Sequence, residues 1–385
     1  MLSFGILSTY PPTQCGLATF SYALTQSLNA TPGSLGGSDR VVAGVVAVVD
    51  EFDPAGLPDV LHQWVRAQPS GWSGAAEALN SFDLAVIQHE FGIFGGRDGA
   101  DILEVARALR VPMVVVLHTV LVSPSQHQRA IVEELVRRSV EIVVMTETAR
   151  LRLVEHYPVD PTRVRVIPHG AADNSLQPSD VRLPHQRPVI LTWGLLGEGK
   201  GIEWGIDAMA LLSDLRPAPI YRVVGETHPR VVERQGEHYR EDLGRRAHGL
   251  GLADTVQFDA RYLGAAELRH VVQQADVVLL PYDSVDQVTS GVLIEAVTAG
   301  KPIVSTGFPH ARELLSAGAG LVVERQDPEA IAAALRRVLT EPGLASHMAA
   351  ESRRLAPSLL WPAVAEQYRE LAGDAVHSYA HRATA

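Results

Sequence analysis

The stretch GLLGEGKG at 194–201 places Gly194, Gly199 and Lys200 where the phosphate-cradling loop G-x-x-x-x-G-K-[S/T] needs them, with Gly201 in the hydroxyl position. An apolar strand, TWG, leads in, and a helix start, GIEW, follows. That order suits phosphate: free amides at a helix N-terminus beside one lysine as a point charge. Without Ser or Thr at 201 there is no hydroxyl for magnesium, which argues against an ATPase. A second stretch, PYDSVDQVTSGVLIEAVTAGKPIVST (281–306), carries Gln287 on a loop and TSG (289–291) at a helix start. Small residues there let amides approach a diphosphate, Thr289 or Ser290 can cap the helix, and Glu295 one turn inside can accept two ribose hydrogen bonds.

The first half of the chain holds other polar residues directly after apolar runs. TYPPTQCGLATF (9–20) fixes a turn with two prolines and opens a helix at Gly16, whose free amides could meet an anion or sugar hydroxyls. An ordinary turn and helix would read the same way. QHEFGIFGG (88–96) sets His89 and Glu90 beside glycines, but Ile93 breaks the H-E-x-x-H zinc pattern. VVVLHT delivers His118, which on its own reads as a satisfied core histidine as readily as a functional one.

Recurring β-branched runs, each followed by a helix-spaced segment, must position these residues. The first half shows runs at 2–9, 41–49, 83–90, 112–119, 141–145 and 163–170, and the second at 188–194, 219–226, 255–260, 275–282, 301–306 and 320–323. Between the two sets, AADNSLQPSDVRLPHQRP (171–188) lacks periodicity and reads as a linker. The pattern predicts an α/β protein of two doubly wound domains, residues 1–175 and 186–357, whose ligands bind beyond the strands' C-terminal ends. Residues 358–385 are expected to form a closing helix and tail that packs back on the first domain.

A length of 385 residues fits two domains, and 46% hydrophobic with 20% charged residues is ordinary globular composition. The net charge of −11, without a basic run, removes the electrostatic term that nucleic-acid binding needs. The single cysteine, Cys15, excludes an internal disulfide and any multi-thiolate metal site. No apolar run approaches a membrane span, and the N-terminus has no basic leader region, so the expectation is a cytoplasmic protein with peripheral membrane contact left open.

Taken in chain order, PPTQCGLATF, LHT, IPHG (167–170), GLLGEGKGIE, RVVGETHP (222–229) and QVTSGVLIEAVTAGKPIVS resemble the retaining glycosyltransferases of family 4, the bacterial group 1 type. The resemblance implies the GT-B fold, two Rossmann-like domains facing a central cleft, with a nucleotide diphosphate sugar as donor in the second domain and the acceptor in the first. It implies donor contacts from Gly194, Lys200, Ser290, the amides of Gly291, Val292 and Leu293, and Glu295. Arg261 and Tyr262 stand by position where a base or phosphate contact belongs. Gly16, by the diphosphate and acceptor, joins His89 and Glu90 as acceptor-side residues. His118, Lys200 and Gln287 are the catalytic candidates, with His118 at the transferring sugar.

The family's paired glutamates, E-x7-E, appear here as Gln287 and Glu295, and an arginine that often follows the strand-end glycine is Leu195. Gln287 cannot act as nucleophile or base, yet it can hydrogen-bond a sugar hydroxyl. The expectation is hexose transfer with retention by same-face attack, the departing phosphate oxygen taking the acceptor proton. GDP-mannose is the favoured donor and a UDP-sugar the next, with a hydroxyl of a saccharide or glycoconjugate as acceptor. The chain has no D-x-D, and neither a metal nor another cofactor is expected. The alternatives are a non-catalytic sugar-nucleotide-binding protein, a sugar-nucleotide epimerase and a glycoside phosphorylase.

Overall fold

The computed structural model describes residues 2–30, 41–68, 70–175, 187–285 and 287–384, so residues 176–186 of the expected linker lie outside the described residues. Two compact units are present: Met1–Gly170 with Trp361–Ala385, and Ala171–Leu360. The chain passes between them at Gly170/Ala171 and again at Leu360/Trp361, rather than within 175–186 or at 357/358. Within the second unit the two crossing points are paired, because Ala171 N–H donates to the Leu359 carbonyl at 2.8 Å.

The first unit runs β1 (Leu2–Ser8), α1 (Gly16–Asn29), β2 (Val41–Val49), β3 (Val60–Val65), α2 (Gly71–Leu79), β4 (Leu84–His89), α3 (Ile102–Ala108), β5 (Met113–Leu117), α4 (Gln126–Arg138), β6 (Glu141–Val144), α5 (Glu147–His156) and β7 (Val164–Val166). Its strands are parallel in the order β3-β2-β1-β4-β5-β6-β7. The apolar runs become strands because helices cover both faces: β4, β5 and β6 are buried throughout. The strand β3, VLHQWV, has no counterpart among the predicted runs. It lies at the sheet edge with one fully buried side chain, Trp64, and its polar residues weaken the apolar signal.

The second unit runs β8 (Val189–Trp193), α6 (Ile202–Ala210), β9 (Ile220–Val224), α7 (Pro229–Gln235), α8 (His238–Gly249), β10 (Val256–Asp259), α9 (Ala265–Gln273), β11 (Val277–Leu280), α10 (Gly291–Thr298), β12 (Ile303–Thr306), α11 (Pro309–Leu314), β13 (Gly320–Val323), α12 (Pro328–Thr340) and α13 (Leu344–Leu359). Its parallel order is β10-β9-β8-β11-β12-β13. The first six strands of one unit and all six of the other thus follow the Rossmann order 3-2-1-4-5-6. Strand order reverses between β1 and β4 and between β8 and β11, and at such a point the diverging loops leave room for a ligand.

The last helix, α14 (Trp361–Thr384), belongs to the first unit. Its stripe of Trp361, Val364, Tyr368 and Leu371 joins Phe4, Phe20 and Leu24 in one core. The Arg369 guanidinium donates to the Ser27 and Leu28 carbonyls at the end of α1, where helix carbonyls lack internal partners. Among the described residues no helix is long and apolar enough to cross a membrane.

Candidate functional site

In the second unit the glycine-lysine loop follows β8 and the TSG helix follows β11, so sheet order brings the two motifs together at the reversal point. A Cβ added to Gly194 would meet Val292 Cγ2 at 3.5 Å, which puts the start of one loop against the first turn of α10. Gly199 accepts from Asp283 N–H at 2.9 Å, and Trp204 Nε1 donates to Asp283 Oδ2 at 2.9 Å. These bonds hold Lys200 with its ammonium 4.3 Å from the centre of the Tyr282 ring, a cation-π contact with no carboxylate partner among the described residues.

Gly201 has left-handed backbone, φ 63° and ψ 22°, and a Cβ there would strike the Pro281 carbonyl. A serine or threonine therefore does not fit the one position where a magnesium-binding hydroxyl would stand. The helix α6 begins from this glycine without a side-chain cap.

Ser290 caps α10, its Oγ accepting from Leu293 N–H, while Ser290 N–H donates to His310 Nδ1 at 2.9 Å. The Leu293 amide, expected to face phosphate, is therefore spent inside the protein, and the Leu293 side chain is core. The Gly291 and Val292 amides have no hydrogen-bond partner among the described residues, so they are the donors the helix presents. Glu295 Oε2 accepts from Trp193 Nε1 at 3.0 Å. Burial lifts the Glu295 carboxyl above the usual carboxylate range, and this hydrogen bond restrains the rise. Gln287 is half-buried, its backbone N–H on Ser284 Oγ.

Arg261 and Tyr262 do not join this group. β10 is separated from β8 by β9, and the Arg261 guanidinium is engaged by Asp259 at 2.9 and 2.6 Å and by Glu267 at 2.9 Å. Tyr262 is exposed. Residues that sequence reasoning left out are Trp193, which orients Glu295, and His310, which holds the cap. Trp193 stood in the quoted TWG, but only the fold shows what its indole N–H meets.

In the first unit the reversal point lies between β1 and β4. Cys15 caps α1 through Sγ, and the Gly16 and Leu17 amides have no partner among the described residues. A Cβ at Gly16 would meet nothing within 4 Å. His118 follows β5, half-buried, and its Nε2 donates to Gln88 Oε1 at 2.7 Å. The Phe20 ring of α1 meets His118 and His169 edge-on, each at 4.9 Å, and Trp361 at 5.0 Å. Gly170 admits this cluster, since a Cβ there would collide with the Trp361 ring.

Burial pushes His118 down to about 3, helped by the neighbouring His169 and His89, and pushes His89 and His169 each down to about 4. His118 is thus neutral at pH 7, with Nδ1 as its accepting nitrogen. His89, expected at the acceptor, is wholly buried against Phe91 and Phe94, with neither ring nitrogen hydrogen-bonded among the described residues. Glu90 accepts from its neighbour Phe91 N–H at 3.0 Å and from the Thr119 hydroxyl. The clustering of His169, Gln88 and Phe20 about His118 was not legible in the sequence, although His169 stood in the quoted IPHG.

Residues 173–355 match the family described as "Glycosyl transferases group 1", and residues 36–174 match "Glycosyltransferase Family 4". The chain belongs to the family 4 glycosyltransferases. The D-inositol 3-phosphate glycosyltransferase of Corynebacterium diphtheriae is 29% identical to this glycosyltransferase over 69% of the chain and 66% of that protein. The lipopolysaccharide glucosyltransferase WaaG of Escherichia coli is 25% identical over 57% of the chain and 58% of its own length. These matches thus span two thirds or less of each relative. Among solved structures, Anabaena HepE in complex with UDP and glucose superimposes with a TM-score of 0.76 at 17% identity, over 97% of this chain and 100% of that one. Sucrose-phosphate synthase of Thermosynechococcus elongatus gives 0.77 at 18% identity, over 98% and 100%. Likeness at this identity establishes the fold, GT-B with two Rossmann-like units.

Proposed function

We propose that this glycosyltransferase moves a hexose from a nucleoside diphosphate sugar to a hydroxyl of a saccharide or glycoconjugate, with retention and without a metal ion. The observation that carries the proposal is the meeting, at the β8/β11 reversal point, of Lys200 with the amides of Gly291 and Val292, the lysine without an acidic partner and the amides without an acceptor among the described residues. Negative charge builds on the leaving diphosphate as the glycosidic bond breaks, and donors already aimed at it need no reorganisation. Glu295, oriented by Trp193, holds the ribose hydroxyls. The first unit takes the acceptor, with the Gly16 and Leu17 amides and neutral His118 as hydrogen-bonding groups. At pH 7 a histidine titrating near 3 is neutral, so His118 keeps its Nε2 proton on Gln88, orients a hydroxyl through Nδ1 and does not take up a second proton.

With retention taken from the family resemblance, same-face attack is favoured over double displacement because no nucleophile is placed for it among the described residues. Gln287 is an amide, and Asp283 is bonded to Trp204. The departing phosphate oxygen then takes the acceptor proton. Lys200 and the helix amides supply the charge stabilisation that a D-x-D-bound cation supplies in other transferases.

The base is uracil in this proposal, in place of the guanine expected from the sequence. The UDP in the HepE complex supports that base, and the glucosyltransferase name of WaaG supports glucose as the hexose. Thermal-shift titration with UDP-glucose, GDP-mannose and ADP-glucose, followed by measurement of nucleoside diphosphate release over an acceptor panel, tests the proposal. Stabilisation by UDP-glucose above the others, with release that depends on acceptor, is the expected result. Binding without turnover on any acceptor would instead favour a sugar-nucleotide-binding protein.

A further inference from the structure

Leu195 leaves the donor site one positive charge short of its relatives' pattern, and Arg261 is held in ion pairs elsewhere. The loop after β9 offers a replacement. β9 is the neighbour of β8, and the two following loops run side by side: Leu196 N–H donates to the Glu226 carbonyl at 2.8 Å, and His228 N–H donates to the Leu196 carbonyl at 2.8 Å. His228 is thereby tied to the loop that carries Lys200. Its Nδ1 accepts from Arg230 N–H at 3.2 Å and caps α7, so the ring proton sits on Nε2, which has no hydrogen-bond partner among the described residues. Arg230 and Arg234 are exposed and make no ion pair among the described residues. In a chain of net charge −11, a lysine, a histidine and two arginines gathered without an ion-pair partner among the described residues mark an anion site.

We propose that His228 is a second binding residue for the donor diphosphate and takes up a proton as the diphosphate binds, supplying the positive charge that position 195 lacks. The proposal rests on the donor assignment made above. In the free protein burial, Arg230, Lys200 and Arg234 hold His228 below its ordinary value, opposed by Glu233. Of the other charged groups on the elements packed here, the Glu226 carboxylate makes no ion pair among the described residues and opposes the cations as Glu233 does, while the rest are engaged. Glu198 is approached by Gln235, Glu237 accepts from Thr227 and Arg240, and Arg240 also donates to the Gly225 carbonyl. A diphosphate placed against Lys200 reverses the local sign and raises His228. Binding therefore tightens as pH falls through the bound-state value, and the gain levels off below the free-state value.

The test is isothermal titration of UDP-glucose and GDP-mannose, whose doubly esterified diphosphates do not titrate near neutrality, in buffers of different ionisation enthalpy across a pH series. Wild-type protein should take up a fraction of a proton and bind more tightly in acid. His228→Asn keeps a cap acceptor for α7 but cannot be charged. It should show no proton uptake and bind about tenfold more weakly at the acid end, the scale of one hydrogen bond to a charged group. His228→Lys should bind independently of pH. Proton-free, pH-independent binding by wild-type protein would overturn the proposal without any variant, and so would undiminished proton uptake by His228→Asn. Either result leaves the donor assignment standing, whereas failure of both sugar nucleotides to bind wild-type protein removes both.

Discussion

Replacing Gly201 with alanine, beside the same change at Gly199, separates backbone conformation from contact in the lysine loop. Both glycines have positive φ, 63° and 84°, so each alanine carries a left-handed penalty of about 1–2 kcal/mol. Their surroundings differ. The added Cβ at Gly199 meets nothing within 4 Å, while the one at Gly201 meets the Pro281 carbonyl, and relieving such overpacking costs roughly a further 1–3 kcal/mol. Gly201→Ala should therefore lose about 2–5 kcal/mol and Gly199→Ala about 1–2 kcal/mol. At roughly 2–4 °C per kcal/mol for a unit of this size, the Gly201 variant melts several degrees below the Gly199 variant. The movement that relieves the contact shifts α6 or residues 281–283, and with them the seat of Lys200 over Tyr282. Donor affinity should then fall in Gly201→Ala and hold in Gly199→Ala. Differential scanning calorimetry and donor titration on the two variants provide the comparison. Equal melting temperatures and equal affinities would refute the steric account of Gly201.

Lys200→Ala should cut turnover roughly 10²–10³-fold, the loss typical of removing one donor to a developing charge, and nucleoside diphosphate release measures it. Trp193→Phe removes the indole N–H from Glu295, raises that carboxyl further and weakens sugar-nucleotide binding by about 1.5–3 kcal/mol; unchanged affinity by calorimetry would remove Glu295 from the donor site. His89, His118 and His169 have folded-state values of about 4, 3 and 4, against about 6.5 when unfolded, so the unfolded chain binds more protons between those limits. The first unit is therefore fully stabilised above pH 6.5 and loses up to about 1.4 kcal/mol per histidine for each pH unit below it. Urea unfolding followed by the fluorescence of a variant with Trp193 and Trp204 replaced by phenylalanine, which leaves only the first unit's Trp64, Trp72 and Trp361, should show this loss from pH 6.5 to 5, and a flat profile would contradict the burial of the cluster.

Much of the fold was legible because a strand buried on both faces needs apolar residues throughout, whatever lies beside it. The run at 41–49 is a strand with those bounds, buried from Ala43 to Val48. The strand Val60–Val65 was missed for the converse reason: an edge position permits the histidine and glutamine that erase the pattern. Lys200, Glu295 and His118 could be nominated because residues that follow strands in an α/β sheet are delivered to its ligand-binding edge. Arg261 shared that local signature, but β10 is not adjacent to β8, and nearby carboxylates claimed its charge.

Sequence alone determined the repeated strand-and-helix units, the family, and which strand ends carry polar residues, because each depends on neighbours close along the chain. Tertiary structure decided which strand ends meet and which of their donors stay unspent. It paired Glu295 with Trp193 across 102 positions, gave the Leu293 amide to Ser290, and set the Pro281 carbonyl against Gly201. Sheet order is a property of the whole packed unit. It brings the glycine-lysine loop against the TSG helix, and the same closeness excludes the hydroxyl whose absence first drew attention to position 201.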